Sequence, residues 1–212
     1  MNKLMQGLVA FGLIGLSSAA NAAFIVDTTD AVLFGVPGNN DFQSQLAGEG
    51  VTQYWDGAQL LLDGPGTITA DYFGRDADYV NTFRFDGNVV FVSTAAANEV
   101  WLSTPISGGS FAAGSGLLPF SFMTSGGSSS QSHTVVNGSN LFGGNIIRSF
   151  GVIVTGPNVA WLLWDDSGAQ EDDNHDDMVV RLTFTSVPEP ATMGLLGLGL
   201  LGLGFGARRR KA

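Results

Sequence analysis

Short segments of alternating hydrophobic and polar residues recur through the middle of the chain. Thr67–Tyr72 and Met178–Thr185 alternate with a period of two residues, which predicts half-buried β-strands. In the second segment this period places Val180 and Leu182 inward and Val179 outward. No window shows the sustained i, i+3, i+4 spacing of an amphipathic helix. The pattern predicts a single all-β domain, a β-sandwich or jelly roll, over residues 23–186.

Turn-forming residues separate these segments and predict how neighbouring strands pair. Asp86-Gly87-Asn88 and Gly156-Pro157-Asn158 each lie between two apolar runs, which is typical of β-hairpins. The stretch Ser107–Gly144 is rich in Gly and Ser and predicts long loops around short strands.

The first 22 residues have the three parts of a secretory signal peptide. Lys3 supplies the positive charge, Leu8–Leu16 is apolar, and Ala20-Asn21-Ala22 is a cleavage site of the A-x-A type. Nine apolar residues are fewer than half of the roughly 20 that a membrane-spanning helix needs, which argues against a membrane anchor. We expect export through the Sec machinery and cleavage by signal peptidase after Ala22.

The last residues, 187–212, have a different order of parts. Val187, Pro188, Glu189 and Pro190 are followed by residues 191–207, which carry no charge, and then by Arg208, Arg209, Arg210 and Lys211. Seventeen residues make a helix of about 26 Å, close to the shortest that spans a bilayer. The basic end would stay in the cytoplasm. These features alone also fit an ordinary single-pass anchor.

The order of VPEP, apolar run and RRRK resembles the PEP-CTERM sorting signal of Gram-negative bacteria. That resemblance implies an exosortase as partner and a transient anchor in the inner membrane with the domain in the periplasm. The protein would then reach the cell surface or the medium. Two segments of the globular part also resemble stretches of other PEP-CTERM β-domains. They are Phe73–Phe83 and the acidic run that contains Asp172, Asn174, His175, Asp176, Asp177, Met178, Val179 and Val180.

Composition and charge narrow the possible functions. The chain has no Cys, which excludes disulfides, zinc-thiolate sites and thiol nucleophiles. Its net charge is −10, and residues 23–187 contain 18 acidic side chains, four Arg and no Lys. Nucleic-acid binding needs clustered cations, so we expect no nucleic-acid partner.

The segment Trp164–Met178 is the strongest candidate for a binding site. Seven of its fifteen residues are acidic and none is basic. Oxygen ligands of this density suit Ca²⁺, although the segment lacks the Gly and the final Glu of an EF-hand. The alternative is a solvated acidic turn. The predicted calcium ligands are Asp165, Asp166, Asp172, Asn174, Asp176 and Asp177.

Residues for catalysis are scarce in the sequence. There are two His, no G-x-S-x-G motif occurs, and His133 lies in a Ser-rich stretch, so we expect no catalytic residues. The sequence favours a non-enzymatic surface or extracellular matrix protein, and its association with exopolysaccharide or biofilm is implied by the resemblance alone. A hydrolase with two carboxylates about 5–9.5 Å apart is less favoured. The other alternative is a carbohydrate-binding module that uses Trp55, Trp101, Trp161 and Trp164.

Overall fold

The computed structural model describes residues 22–77, 79–93, 96–126, 132–140, 148–166, 174–187 and 199, with the backbone alone for 96–99. The predicted signal peptide apart from Ala22, the predicted membrane helix apart from Gly199, and the basic tail lie outside these ranges. Within the described residues, no helix has the length and apolar character needed to cross a bilayer. The described strands belong to one compact unit, Asn21–Val187.

The first part of this unit contains one short helix and nine strands. They are β1 Phe24–Asp27, β2 Val32–Gly35, α1 Gln43–Gly48, β3 Gln53–Asp56, β4 Gln59–Leu62, β5 Gly66–Ala77, β6 Val80–Phe85, β7 Asn88–Val92, β8 Ala96–Ala113 and β9 Gly116–Leu117. The remaining described strands are β10 Phe120–Ser125, β11 His133–Val136, β12 Ser149–Gly156, β13 Val159–Asp165 and β14 Met178–Ser186.

The strands form three antiparallel sheets, which confirms the predicted all-β, sandwich-like fold. The largest has seven strands in the order β2-β3-β12-β13-β14-β5-β8. A second has the order β11-β10-β6-β7, and a third has the order β1-β4-β9. Both predicted hairpins are present, because β6 pairs with β7 and β12 pairs with β13.

Hydrophobic residues cover the seven-stranded sheet on both faces. On one face Trp164 and Leu182 join Phe83 and Phe122 of the second sheet in the larger core cluster. On the other face Val179 packs in a smaller cluster against residues of α1 and its flanks. The prediction that Val179 faces outward is therefore wrong. A strand covered on both sides buries both sets of alternating side chains.

The start of the segment Ser107–Gly144, which was predicted to form long loops around short strands, is instead part of a long strand. Ser107–Ala113 continues β8, which pairs with β5 through three register shifts. Gly108 permits close packing of β7 against this segment, because a Cβ there would lie 2.2 Å from Cγ1 of Val90. Gly and Ser in this segment therefore serve close packing and bulges, as well as turns.

Candidate functional site

The described part of the acidic segment is buried. Asp165 and Asp166 follow one another at the end of β13, and Asp176 and Asp177 immediately precede β14; each is at most 7% exposed. Asn174 is also buried, whereas Asp172 lies outside the described residues. A solvated turn does not describe these residues, because taking carboxylates out of water is costly unless they are paired.

His175 lies at the centre of this buried group. Its Nδ1 is 3.2 Å from the hydroxyl of Tyr54, and its Nε2 is 3.2 Å from Oγ of Ser149. One carboxylate lies beyond each nitrogen: Asp165 Oδ2 is 3.8 Å from Nδ1, and Asp56 Oδ1 is 3.6 Å from Nε2. The ring is completely buried.

The fold brings these groups together from three adjacent strands and from the segment that precedes a fourth, β14. Tyr54 and Asp56 lie on β3, and Ser149 begins β12 opposite Asp165. Gly151 leaves space for the aromatic ring, because a Cβ there would lie 2.3 Å from Cδ2 of Tyr54. His175 has a φ of 58°, a left-handed conformation that is uncommon for residues other than glycine. The surrounding contacts therefore stabilise a strained backbone.

Ser149, His175 and Asp165 have the residue types and the order of contacts of a serine nucleophile, its base and an orienting acid. All three side chains are at most 2% exposed. A nucleophile must approach a substrate atom to within about 3 Å, which this burial prevents in the structure described. The geometry here ties strands together and presents no reacting group to solvent.

A second buried pair is formed by Asp166 and Asp177. The backbone N–H of Asp166 donates to Oδ2 of Asp177 at 2.7 Å, and the Asn81 side-chain amide donates to Oδ2 of Asp166. Burial raises the pKa of Asp166 to about 6, and the charge of Asp165 adds to this rise. Burial, followed by the charge of Asp166, raises the pKa of Asp177 well above its ordinary value.

Asn81 connects this pair to the core. Its Oδ1 accepts hydrogen bonds from Nε1 of Trp164 at 3.0 Å and from the hydroxyl of Thr124 at 2.8 Å. The indole of Trp164 stacks on Phe122 with an interplanar angle of 6°. One buried amide therefore joins the acidic segment to both large sheets.

Asp176 instead faces Asp41 and Asp76. Each of the three offers a carboxylate oxygen, and these oxygens lie within 4.8 Å of one another. Asp176 Oδ2 accepts the backbone N–H of Asp41 at 2.8 Å, and its carbonyl accepts the N–H of Asp76 at 2.9 Å. Oxygens that share one Ca²⁺ at 2.3–2.6 Å are separated by comparable distances.

The structure thus distributes the predicted calcium ligands between two places. Among the described residues, Asp165, Asp166 and Asp177 do not take part in a close acidic trio, whereas Asp176 does. Sequence reasoning missed Asp41 and Asp76. Asp76 belongs to the singled-out segment Phe73–Phe83, but nothing in the sequence marks Asp41. Calcium binding stays a prediction.

The four Trp residues do not form an exposed platform. Trp161 and Trp164 are at most 1% exposed, and Trp55 and Trp101 are half-buried. Trp101 packs against Phe42 and Phe73. Within the described part of the chain, the exposed large hydrophobic residues are aliphatic.

The last strand leads directly into the C-terminal segment. Ser186, its final residue, pairs with Gly66, and the N–H of the exposed Val187 donates to the carbonyl of Pro65 at 3.3 Å. Residues 186–211 match the family model of the PEP-CTERM protein-sorting motif. This chain carries a PEP-CTERM motif. The matched range includes the predicted sorting residues from Val187 to Pro190 and from Arg208 to Lys211.

The PEP-CTERM motif indicates an exported protein that is processed by an exosortase and transiently anchored through its C-terminal region. No curated protein and no solved structure matches the chain. The resemblance of the globular part to other PEP-CTERM β-domains therefore stays a prediction.

Proposed function

We propose that this chain is a cell-surface or extracellular matrix protein without catalytic activity. Its β-domain would be exported, held in the inner membrane by the tail, and released after cleavage near the PEP residues. The PEP-CTERM motif at 186–211 is the observation that carries the proposal. The start of this motif on the last residue of β14 supports a folded domain as the exported cargo.

A non-catalytic role is supported by where the reactive groups lie. Ser149, His175 and Asp165 are closed to solvent and bonded to their neighbours. The proposed association with exopolysaccharide rests on the PEP-CTERM resemblance. It names the class of polymer and does not specify an individual polysaccharide. A strongly acidic domain would resist nonspecific adhesion to other polyanions.

Mass spectrometry of both termini of the native protein tests the sorting part of the proposal. We expect a product that begins at Ala23 and lacks Arg208–Lys211. In cells without exosortase, the tail should stay attached and the protein should remain in the inner-membrane fraction. An intact C-terminus on protein from the outer fraction of normal cells would contradict the proposal.

Tail variants identify which part of the motif acts. The double substitution Pro188→Ala and Pro190→Ala should prevent cleavage, whereas Pro37→Ala, a proline change within the domain, should leave it normal. Neutral residues in place of Arg208–Lys211 should weaken retention in the inner membrane, because the cytoplasmic anchoring charge is lost.

Assays of the purified mature protein test the non-catalytic part. We expect it to sediment with extracellular polysaccharide and to be released when that polymer is digested. Cleavage of the polymer by the protein alone would overturn this part of the proposal and leave the sorting result intact.

A further inference from the structure

Asp63 holds the first residue of the domain through two hydrogen bonds. The backbone nitrogen of Ala23 donates to Oδ1 of Asp63, and the N–H of Asp63 donates to the carbonyl of Ala23 at 3.2 Å. These bonds extend the pairing of β1 with β4, in which Phe24 lies opposite Leu62. The ring of Phe24 is buried against Phe184, so Ala23 is fixed beside a packed residue.

The nitrogen of Ala23 is the atom that signal peptidase would change. Cleavage after Ala22 converts this amide nitrogen into an α-amino group, which is an ammonium below its pKa of about 8. An amide offers one donor without net charge, whereas the ammonium offers three donors and a positive charge. The carboxylate of Asp63 already lies at hydrogen-bonding distance from that nitrogen.

Asp63 has the properties of a receptor for such a cation. It is exposed, so its carboxylate is not buried at a cost, and among the described ion pairs none joins it to an Arg. Residues 23–187 contain no Lys that could compete for it. Ala22 lies directly over Gly64, where a Cβ would be 2.8 Å from the Cβ of Ala22.

We propose that Asp63 is the binding site for the α-ammonium group that signal peptidase creates at Ala23. Removal of the signal peptide therefore adds an ion pair that fastens β1 to β4. The inference rests on the proposed export and on cleavage after Ala22. It assigns to Asp63 a role in maturation that is separate from sorting by the tail.

The absence of Lys makes the new amino group simple to measure. Cells that process the full chain yield mature protein, which is treated briefly with an amine-reactive acetylating reagent near pH 7.5 and digested. Mass spectrometry then gives the extent of labelling on the N-terminal peptide. The same peptide shows whether the chain begins at Ala23.

An ammonium must lose its proton before it reacts, so a carboxylate partner slows labelling. We expect wild-type Ala23 to react about three- to tenfold more slowly than Ala23 in Asp63→Asn. Asp63→Glu should keep most of the protection. Asp30→Asn, which removes an exposed charge elsewhere, should react as slowly as the wild type. Circular dichroism of each variant checks that the domain is folded.

Equal labelling rates in folded wild-type and Asp63→Asn protein that begins at Ala23 would overturn the inference and leave export intact. An N-terminal peptide that begins elsewhere would overturn both the predicted cleavage and the inference. Mass spectrometry of the N-terminal peptide distinguishes the two failures, because it gives both the first residue of the chain and the extent of labelling.

Discussion

Asp166 and Asp177 are acidic side chains that the fold holds in a buried, closely spaced pair. The pKa of each carboxyl is raised, chiefly because burial disfavours its charged form. Because these folded-state pKa values exceed the unfolded value of about 3.9, the pair stabilises the fold most below that value. This contribution is lost as the pH rises through the folded-state pKa, about 6 for Asp166.

We predict that the free energy of unfolding falls between pH 4 and pH 7 because of this pair. A rise from about 3.9 to about 6 corresponds to roughly 3 kcal/mol for Asp166. Asp166→Asn should remove the part of the fall that is due to Asp166 and leave the part due to the buried Asp177, since the amide oxygen can still accept from Asn81. Urea unfolding of the mature protein between pH 4 and pH 7, with EGTA present, measures this change in the free energy of unfolding. Asp30→Asn is the charge control, and a pH profile of Asp166→Asn parallel to that of the wild type would contradict the prediction.

Calcium is predicted to bind in the same acidic segment, and the structure makes two locations for it testable. Saturation at a hundredfold excess over Kd stabilises the native state by roughly 2.7 kcal/mol, or about 5–10 °C in melting temperature for a domain of this size. We predict this shift in millimolar CaCl₂ against EGTA at matched ionic strength. Loss of the shift in Asp76→Asn would place the ion at Asp41, Asp76 and Asp176.

Loss of the shift in Asp172→Asn instead would place the ion in the segment predicted from sequence. Asp30→Asn should keep the full shift and is the matched control. A wild-type protein whose melting temperature is unchanged by calcium would show that neither group binds it in this concentration range.

At the level of elements, the seven-stranded sheet depends on close approach of strand backbones at its glycines. A Cβ on Gly66 would lie 2.4 Å from the carbonyl oxygen of Thr185 on the paired strand β14. Backbone atoms cannot move aside as the end of a flexible side chain can. The start of β5 therefore requires glycine at this position.

We predict that Gly66→Ala destabilises the domain by about 2 kcal/mol or more, because overpacking must displace β14 from β5. Gly114→Ala is the matched control near the same strand ends, since a Cβ there meets nothing within 4 Å. It should change the free energy of unfolding by less than about 1 kcal/mol. Thermal or urea unfolding of both variants measures these changes. Equal stabilities of Gly66→Ala and Gly114→Ala would contradict the prediction.

Strands and hairpins can be predicted from the sequence where a single local pattern specifies them. Alternation and turn residues were enough to predict β14 and the two hairpins, because local patterning specifies both. The prediction that Val179 faces outward is wrong because alternation assumes that one face of the strand is exposed to solvent. In the structure, α1 and its flanking residues cover that face. The extension of β8 through Gly108 and Gly109 was missed, because glycine is read locally as a turn residue.

At the level of the whole molecule, the sorting signal can be recognised from the sequence alone, whereas the geometry of the candidate site cannot. The PEP-CTERM motif is contiguous, so its parts could be recognised without a fold. The surroundings of His175 come from the β12–β13 hairpin and from β3, whose Tyr54 lies 121 residues before His175 in the chain. Asp41 likewise meets Asp176 only because the segment before α1 folds over the end of the sheet.

The strand that carries the tail also determines how the domain bears tension. β14 is hydrogen-bonded to β13 on one side and to β5 on the other, and its last residue, Ser186, begins the sorting motif. Force that is applied at the C-terminal end of β14 and directed along the strand therefore acts on a strand held from both sides. Hydrogen bonds in antiparallel pairs are perpendicular to the strands, so this force shears both ladders together. A tail leaving an edge strand would instead peel one ladder bond by bond, and the domain would give way at a lower load.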